Sequence, residues 1–217
     1  MDGPTDNAPA LGKRQQGLED RRRRLVKAAS ELLAERDNGQ FSMPELAERA
    51  GVSLATPYNL FGSKAAVLAQ VFERLVRGFH RDDNWMDGLS ASARIFGVIE
   101  RLAQAYEVQG RLFRNLWRAL YGLDLTEHKQ WNQSMSREIV RPLVASLSRD
   151  GLLSEEVPAA VIETTLIRIF DSNFELWAAQ EWEVAELTRR LRQGFAVVFL
   201  GLVSAEERAI LAAETNR

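Results

Sequence analysis

The stretch SMPELAERAGVSLATPYNLF, residues 42–61, indicates two short helices joined by a tight turn. Ser42 and Glu45 have the spacing of a capping box, in which each side chain satisfies a backbone N–H of the other residue at the start of a helix. Gly51 is suited to end this helix, because glycine adopts the left-handed conformation without steric cost. Ser53 then predicts the cap of a second helix, which we expect to run to about residue 61.

Two short helices joined by a glycine-containing turn form a helix-turn-helix. The small side chain of Ala47 allows the second helix to cross the first closely, and the core between them is expected to contain Leu46, Ala50, Val52 and Leu60. This motif places the N-terminal side chains of its second helix in the DNA major groove. A hairpin of the kind found in many helical proteins is the alternative, but the two caps and a basic segment before the motif favour DNA binding.

The positive charge of the chain is concentrated just before this motif. The whole chain has 28 Lys and Arg against 30 Asp and Glu, whereas residues 11–30 contain seven basic and two acidic residues. We expect Arg22 and Arg23, within this segment, to reach backbone phosphates or an adjacent minor groove. The alternative is a solvated helix start that binds nothing.

Helical periodicity extends over most of the chain. Residues 1–17 predict a flexible tail, and the apolar stripe that follows Leu18 predicts a helix ending near Gly39. The spacing of apolar residues further downstream predicts helices over 65–80, 91–107, 110–122, 127–149, 155–181 and 183–202. The predicted fold class is therefore all-α, with a three-helix DNA-binding domain at 18–64 and a larger helical domain at 65–217.

The composition excludes several classes of protein. The chain has no cysteine, which excludes a disulfide scaffold, a zinc site with thiolate ligands and a cysteine nucleophile. The start of the chain lacks the apolar core of a secretory signal, and no stretch approaches the roughly eighteen apolar residues of a membrane span. We therefore expect a cytoplasmic protein with no membrane partner.

An enzymatic function is not expected. His80 and His128 are far apart, and the chain contains none of the spacings of a zinc protease, a nucleophile elbow or a phosphate-binding loop. We therefore predict no catalytic residue, no metal ion and no cofactor.

Residues 21–71 resemble the N-terminal DNA-binding domain of TetR-type transcriptional regulators. The segments RLVKAASELLAE, ELAERAGVS and PYNLFGSKAAVLAQVF carry the resemblance, with the Gly-Val-Ser turn, the aromatic residues Tyr58 and Phe61, and a Ser-Lys that opens the next helix. The resemblance implies a homodimeric regulator, usually a repressor, that a small molecule releases from a double-stranded DNA operator. A helical interaction protein that has kept a helix-turn-helix without specific DNA binding is the alternative.

The resemblance also implies DNA contacts, residue by residue. Positions that match phosphate or groove-wall contacts are Ser42, Tyr58, Asn59 and Lys64, and positions that match base-edge contacts are Leu54, Ala55 and Thr56. Because Leu54 and Ala55 cannot hydrogen-bond through their side chains, their natural partner is the methyl group of thymine. We therefore expect modest direct readout, with substantial contributions from phosphate contacts and DNA shape.

Pro57 departs from the family pattern, in which an aliphatic residue is commoner. If Ser53 is the cap, Pro57 is the fourth helical residue, at the edge of the first turn in which a missing N–H is tolerated. We therefore expect the second helix to be shortened or tilted.

The C-terminal part is the predicted sensor. All five tryptophans lie in residues 81–217, and aromatic side chains share one face of two predicted helices. Such stripes usually belong to the core, but the resemblance implies an effector cavity, and ligand pockets are lined mainly by aromatic and aliphatic side chains. The ligand-binding candidates are Phe113, Trp117, Tyr121, Trp131, Phe170, Phe174 and Trp177, with Arg118, Arg168 and Asp171 as polar candidates. The expected ligand is a small apolar or aromatic molecule, with or without an acidic group.

The last two predicted helices, 155–181 and 183–202, are apolar over a wide arc. Such an arc indicates burial on more than one side. By resemblance, this pair forms a four-helix bundle with its symmetry mate, so the expected assembly is a homodimer through these two C-terminal helices. Burial within one chain is the alternative.

Overall fold

The fold is known from a computed structural model, which describes residues 8–79, 84–122, 125–180 and 182–216. Within these ranges it also describes the side chains, apart from those of residues 8–14, 121, 125–135 and 180. The helices in these ranges are α1 (Ala8–Glu35), α2 (Met43–Ala50), α3 (Ala55–Phe61), α4 (Lys64–Phe79), α5 (Ala91–Tyr121), α6 (Leu125–Arg149), α7 (Ala159–Gln180), α8 (Val184–Phe199) and α9 (Ala205–Glu214). The described residues contain no strand, so the predicted all-α fold class is confirmed.

The first four helices form an N-terminal unit that packs around the apolar stripe of α1. This stripe contains Leu25, Ala29, Leu32 and Leu33, which are at most 3% exposed. Helices α2 and α4 both pack on α1. Opposite the stripe, α2 contributes Leu46 and α4 contributes Val67, Leu68 and Val71, all fully buried. The short α3 packs on α2 and α4 at the outside of this unit.

Helix α1 begins earlier than the sequence predicts. The predicted flexible tail covers residues 1–17, whereas the helix starts at Ala8, and residues 1–7 lie outside the described part of the chain. The residues between Ala8 and Leu18 include Ala, Leu, Lys, Arg and Gln, which lose little side-chain freedom in a helix. The same stretch also contains Pro9, Gly12 and Gly17, whose helix propensity is low, so local propensity alone does not account for the start at Ala8.

Helix α5 is continuous where two helices were expected. The predicted break lies between residues 107 and 110, but the chain remains helical from Ala91 to Tyr121. Gln109 alone leaves the helical region, with φ −129° and ψ 30°, and marks a kink. Glycine at position 110 lowers helix propensity but does not force an end, because the apolar side chains on both sides of the kink are buried against the same core.

The C-terminal part ends in a helix that the sequence analysis did not predict. The two helices predicted over 155–181 and 183–202 correspond to α7 and α8, and α9 follows them. The hydroxyl of Ser204 accepts from the backbone N–H of Glu207 and caps α9. Arg192 on α8 forms an ion pair with Glu214, the last residue of α9, with 2.7 Å between Nε and Oε1. Polar contacts therefore anchor this short helix, which has a weaker apolar pattern than its neighbours.

None of the helices in the described ranges has an apolar stretch long enough to cross a lipid bilayer.

Candidate DNA interface and adjoining cavity

The capping box at the start of α2 is formed as predicted. The Ser42 hydroxyl accepts from the Glu45 N–H at 3.3 Å, and the Ser42 N–H donates to Glu45 Oε2 at 2.7 Å. Arg36 at the end of α1 donates to Glu45 Oε1 at 2.6 Å. The hydrogen bond from the Ser42 backbone, followed by that from Arg36, lowers the pKa of Glu45 to about 2. The same carboxylate therefore caps α2 and ties it to α1.

The turn after α2 has the conformation that the sequence predicts. Gly51 has φ 64° and ψ 44°, in the left-handed region. The Val52 N–H donates to the Ala47 carbonyl and the Gly51 N–H to the Glu48 carbonyl, both at 3.0 Å. These bonds satisfy carbonyl groups that the end of the helix leaves free. The turn thereby sets the direction in which the chain enters α3.

The start of α3 differs from the prediction of a Ser53 hydroxyl cap. The Ser53 carbonyl accepts from the Thr56 N–H at 2.9 Å, while the Ser53 hydroxyl lies 2.8 Å from the Thr56 hydroxyl. Leu54 already has helical dihedral angles and provides no side-chain cap. Because α3 begins at Ala55, Pro57 is its third residue and not its fourth. At that position an N–H would have no partner within the helix, so the proline fits the first turn.

The N-terminal face of α3 is open to solvent. Leu54 is 64% exposed and Tyr58 is 52% exposed, although both are large and mainly apolar. Ala55 and Asn59 are also exposed, and Thr56 is half-buried. The other side of the helix is held by buried Pro57. Of the five predicted side chains, that of Leu54 and the four of α3, all but Thr56 are therefore exposed along this short helix.

The predicted phosphate-binding residues outside α3 also have partners within the protein. Arg22 donates to the Leu60 carbonyl at 3.1 Å, and its guanidinium group lies 5.6 Å from the centre of the Phe61 ring. Arg23 is exposed and forms an ion pair with Asp20. Arg22 therefore supports the C-terminal end of α3, a role that the sequence analysis did not identify.

Lys64, at the start of α4, lies over an aromatic ring. Its Nζ is 4.6 Å from the centre of the Phe41 ring, and burial lowers the pKa of the ammonium group. Ser63, the residue before it, caps α4 as expected, since its hydroxyl accepts from the Ala66 N–H at 3.2 Å.

A cavity of about 600 Å³ lies between α4 and α5, with further walls from α1 and α6. Most of its lining is apolar or aromatic, and two arginines, Arg74 and Arg101, supply charge. Its apolar lining includes Phe72, Leu75, Phe79, Leu102, Tyr106, Leu112 and Phe113. Among the ligand-binding candidates whose side chains are described, Phe113 alone lines this cavity.

Four other candidates lie in the packed core beside the cavity. Trp117, Phe170, Phe174 and Trp177 are at most 2% exposed. The rings of Trp117 and Phe174 stack at 5.0 Å, and Trp117 Nε1 donates to the hydroxyl of Tyr106 at 3.0 Å. These rings pack on one another in the core, so a direct contact with a ligand stays a prediction. The side chains of Tyr121 and Trp131 lie outside the described residues.

The polar candidates in this part have different surroundings. Arg118 donates to the Ala178 carbonyl at 2.7 Å and to the Asp37 carbonyl at 3.4 Å. Asp171 accepts from the hydroxyl of Ser136, and Arg168 is exposed on α7. Arg118 therefore joins α7 to the end of α1.

A neighbouring residue, Asn115, makes a second and closer joint between α5 and α1. Its side-chain amide donates to the carbonyl groups of Leu33 at 2.7 Å and of Arg36 at 2.5 Å, and the residue is 1% exposed. These carbonyls lie at the end of α1, where a helix leaves acceptors without partners. Gly39 comes so close that a Cβ there would lie 2.4 Å from the Asn115 Cβ. The sequence signal for this joint is a lone asparagine on the buried face of α5.

The family profile described as bacterial regulatory proteins of the tetR family matches residues 25–71. This range covers the C-terminal part of α1, both helices of the helix-turn-helix and the first half of α4. Residues 25–71 are a TetR-family DNA-binding domain. The resemblance of this segment to TetR-type regulators, drawn from the sequence, is confirmed.

Several known proteins are similar to this chain beyond the DNA-binding domain. The HTH-type transcriptional regulator BetI of Agrobacterium fabrum is 29% identical over 162 residues, which cover 68% of this chain and 76% of BetI. The crystal structure of Thermus thermophilus FadR, in complex with lauroyl-CoA, matches with a TM-score of 0.67 and 21% identity over 83% of this chain and 94% of FadR. The structure of RolR with resorcinol matches with a TM-score of 0.63 and 19% identity over 91% of this chain and 95% of RolR. At these identities the two structures support the fold.

Proposed function

We propose that this TetR-family regulator is a sequence-specific repressor that acts as a homodimer in the cytoplasm and leaves its operator when a small molecule binds. The observation that carries the DNA-binding part is the exposed face of α3. Leu54 and Tyr58 are 64% and 52% exposed, while Leu46 and Ala47 behind them are fully buried. Large apolar side chains held in water by a rigid motif indicate a binding surface.

The contacts to DNA follow from the chemistry of this face. We assign Leu54, Ala55 and Thr56 to base edges, with thymine methyl groups as the partners of the first two. The residues assigned to phosphates and the groove wall are Ser42, Tyr58, Asn59 and Lys64, with Arg22 and Arg23 beside them. Phosphate contacts would fix the register of α3 in the groove. We place the domain boundary after residue 64, with the effector-binding and dimerisation domain at 65–217.

The dimer is assigned to the face of α7 and α8 that points away from the core. Val161 and Leu176 on α7 are 52% and 37% exposed, and Val197 on α8 is 60% exposed. Ile162, Leu166, Leu187 and Phe195, on the opposite sides of these helices, are buried within the chain. A two-fold pairing through this face would set two copies of α3 about 34–36 Å apart, which is the spacing of successive major-groove half-sites.

The cavity between α4 and α5 is the proposed effector site. FadR of Thermus thermophilus and RolR were solved with lauroyl-CoA and resorcinol, and both ligands have a substantial apolar part. Leu112 and Phe113 line the cavity, and Asn115, two residues further along α5, holds the end of α1. A ligand that moves this part of α5 would shift the DNA-binding unit. It can do so only if it binds the released state more tightly than the DNA-bound state.

Selection from a pool of random duplexes tests the DNA-binding part. The purified full chain should enrich one sequence made of two half-sites related by two-fold symmetry, with centres about ten base pairs or a multiple of this apart. Leu54→Ala should change the preferred bases, whereas Ile210→Ala, which shortens a half-exposed side chain on α9, should leave them unchanged. Enrichment of no sequence would refute specific DNA binding and favour the helical interaction protein. Enrichment of a single half-site without symmetry would refute the dimer.

A further inference from the structure

The charged side chains in the described lining of the α4–α5 cavity are both basic. Arg74 and Arg101 belong to its lining, and among the residues that the structure describes no aspartate or glutamate does. The rest of the lining is mainly apolar, so the cavity presents positive charge beside apolar walls. Such a combination favours a ligand with an apolar body and a negatively charged group.

Arg101 is the better placed of the two cations. Its Nη2 donates to the Phe79 carbonyl at 3.1 Å, at the last residue of α4. Its guanidinium group lies 5.7 Å from the Phe79 ring and 5.1 Å from the Trp85 ring. These contacts hold the group in place but leave its charge without a carboxylate among the residues that the structure describes. Arg74, in contrast, is exposed.

The hydrogen-bonding capacity of Arg101 is not used up. Its Nε is buried and has no hydrogen-bond partner within the described part of the chain. A buried donor without an acceptor is destabilising, and the guanidinium group has five N–H donors to satisfy. A carboxylate is the acceptor that matches two N–H groups of a guanidinium at once.

We propose that the cavity takes an apolar molecule that carries a carboxylate or a similar anionic group, and that Arg101 recognises this group. The proposal rests on the cavity being the effector site, as inferred above. The hydrogen bond from Arg101 to Phe79 would link recognition of this anionic group to the position of the end of α4. An anion that draws the guanidinium group away would free the end of α4, which is the helix that leads out of the DNA-binding unit.

Two fluorescent probes of nearly the same shape test the proposal. N-Phenyl-1-naphthylamine is neutral, and 1-anilinonaphthalene-8-sulfonate is the same molecule with a sulfonate group. In titrations of the full chain, the anionic probe should bind at one molecule per chain. Its dissociation constant should be at least about tenfold below that of the neutral probe, because only the sulfonate can accept a charge-assisted hydrogen bond from Arg101. Arg101→Met should abolish this preference without changing the affinity for the neutral probe. Arg101→Lys should retain part of it.

Arg77→Met is the matched control. Arg77 lies on α4, is 73% exposed at its side chain and pairs with Glu73, and it is not part of the cavity lining. This variant should bind both probes as the wild type does. Circular dichroism and thermal unfolding of each variant establish that the chain is folded before the titrations are compared.

The outcomes separate this inference from the proposed function. Equal affinity of the wild type for both probes, a preference that survives in Arg101→Met, or no saturable binding of either probe would each overturn the anionic ligand class. Operator binding, measured on the same preparations, tests the proposed function independently of the ligand class. A preference that depends on Arg101 supports the ligand class even if the probe leaves operator binding unchanged, in which case only release by that probe is refuted.

Discussion

The side-chain amide of Asn115 donates to the Leu33 carbonyl over 2.7 Å and thereby joins the C-terminal part of α5 to the end of α1. A second bond from the same amide reaches the Arg36 carbonyl. The joint lies beyond the kink at Gln109, on the stretch of α5 that also lines the cavity. The same segment of α5 therefore borders the cavity and contacts the N-terminal unit.

Replacing Asn115 should weaken the whole fold. Asn115→Ala leaves buried carbonyls at the end of α1 without a donor, so we expect the free energy of unfolding to fall by about 1–3 kcal/mol. Asn115→Asp should cost more, because a carboxylate would face two carbonyl oxygens. Urea denaturation measures both effects. Asn173→Ala is the control, since Asn173 is half-buried and donates to the Ile169 carbonyl of its own helix. Equal midpoints for Asn115→Ala and the wild type would show that the joint contributes nothing.

Alanine at position 39 should be more harmful than alanine at another glycine with positive φ. Gly39 has φ 63° and Gly88 has φ 71°, so both substitutions force a side chain into the left-handed region at a cost of roughly 1–2 kcal/mol. Only at Gly39 would the new Cβ also collide with Asn115, at 2.4 Å, because the space around Gly88 is open. Gly39→Ala should therefore lower the unfolding midpoint in urea further than Gly88→Ala. A loss at Gly88→Ala as large as that at Gly39→Ala would contradict the close packing against Asn115.

The capping carboxylate of Glu45 should make stability depend on pH in the acidic range. Its pKa is lowered from 4.5 to about 2 in the folded chain, so its contribution is complete above about pH 4.5 and is lost as the pH falls towards 2. The wild type should lose more stability between pH 5 and pH 3 than Glu45→Gln does, as measured by urea midpoints at each pH. Glu48→Gln, which changes an exposed carboxylate on the same helix, should behave as the wild type. Parallel pH profiles for Glu45→Gln and the wild type would refute this role.

Changes on α3 should affect DNA binding without affecting stability. Tyr58→Phe removes a hydroxyl group from a side chain that is 52% exposed, so the midpoint of unfolding should not move. Loss of one phosphate contact should weaken binding about tenfold and to a similar extent for all DNA sequences. Anisotropy titrations against the selected operator and a shuffled duplex measure this. A loss confined to the operator would instead assign the hydroxyl to a base edge.

The helix-turn-helix could be predicted because its signals are local. The Ser42–Glu45 box and Gly51 act over three or four residues, and their hydrogen bonds form as expected. The predicted start of α3 is wrong by one residue, because Ser53 is a common cap residue but accepts through its carbonyl and not through its hydroxyl. Local signals of this kind fix helix ends only to within a turn.

The joint and the cavity could not be predicted in the same way. Asn115 is 82 residues from Leu33, and no local pattern shows which distant helix end it reaches. The two aromatic stripes, one with Trp117 and the other with Phe174, can be seen in the sequence, but core and cavity lining have the same composition. Arg101 was not singled out, since a lone arginine on a helix is usually solvated. Only the packing in the folded structure distinguishes a core side chain from one that lines a cavity, or a solvated arginine from one in a cavity wall.

The most direct measurement of the central claim is fluorescence anisotropy of the full chain against the selected operator and a shuffled duplex, over a series of salt concentrations. The account predicts that the operator is bound at least about 10³-fold more tightly than the shuffled duplex. The logarithm of the affinity for the operator should fall linearly with the logarithm of the salt concentration, as counterions are released from several phosphates. Equal affinity for both duplexes, or affinity that does not depend on salt, would contradict a regulator that reads DNA with α3.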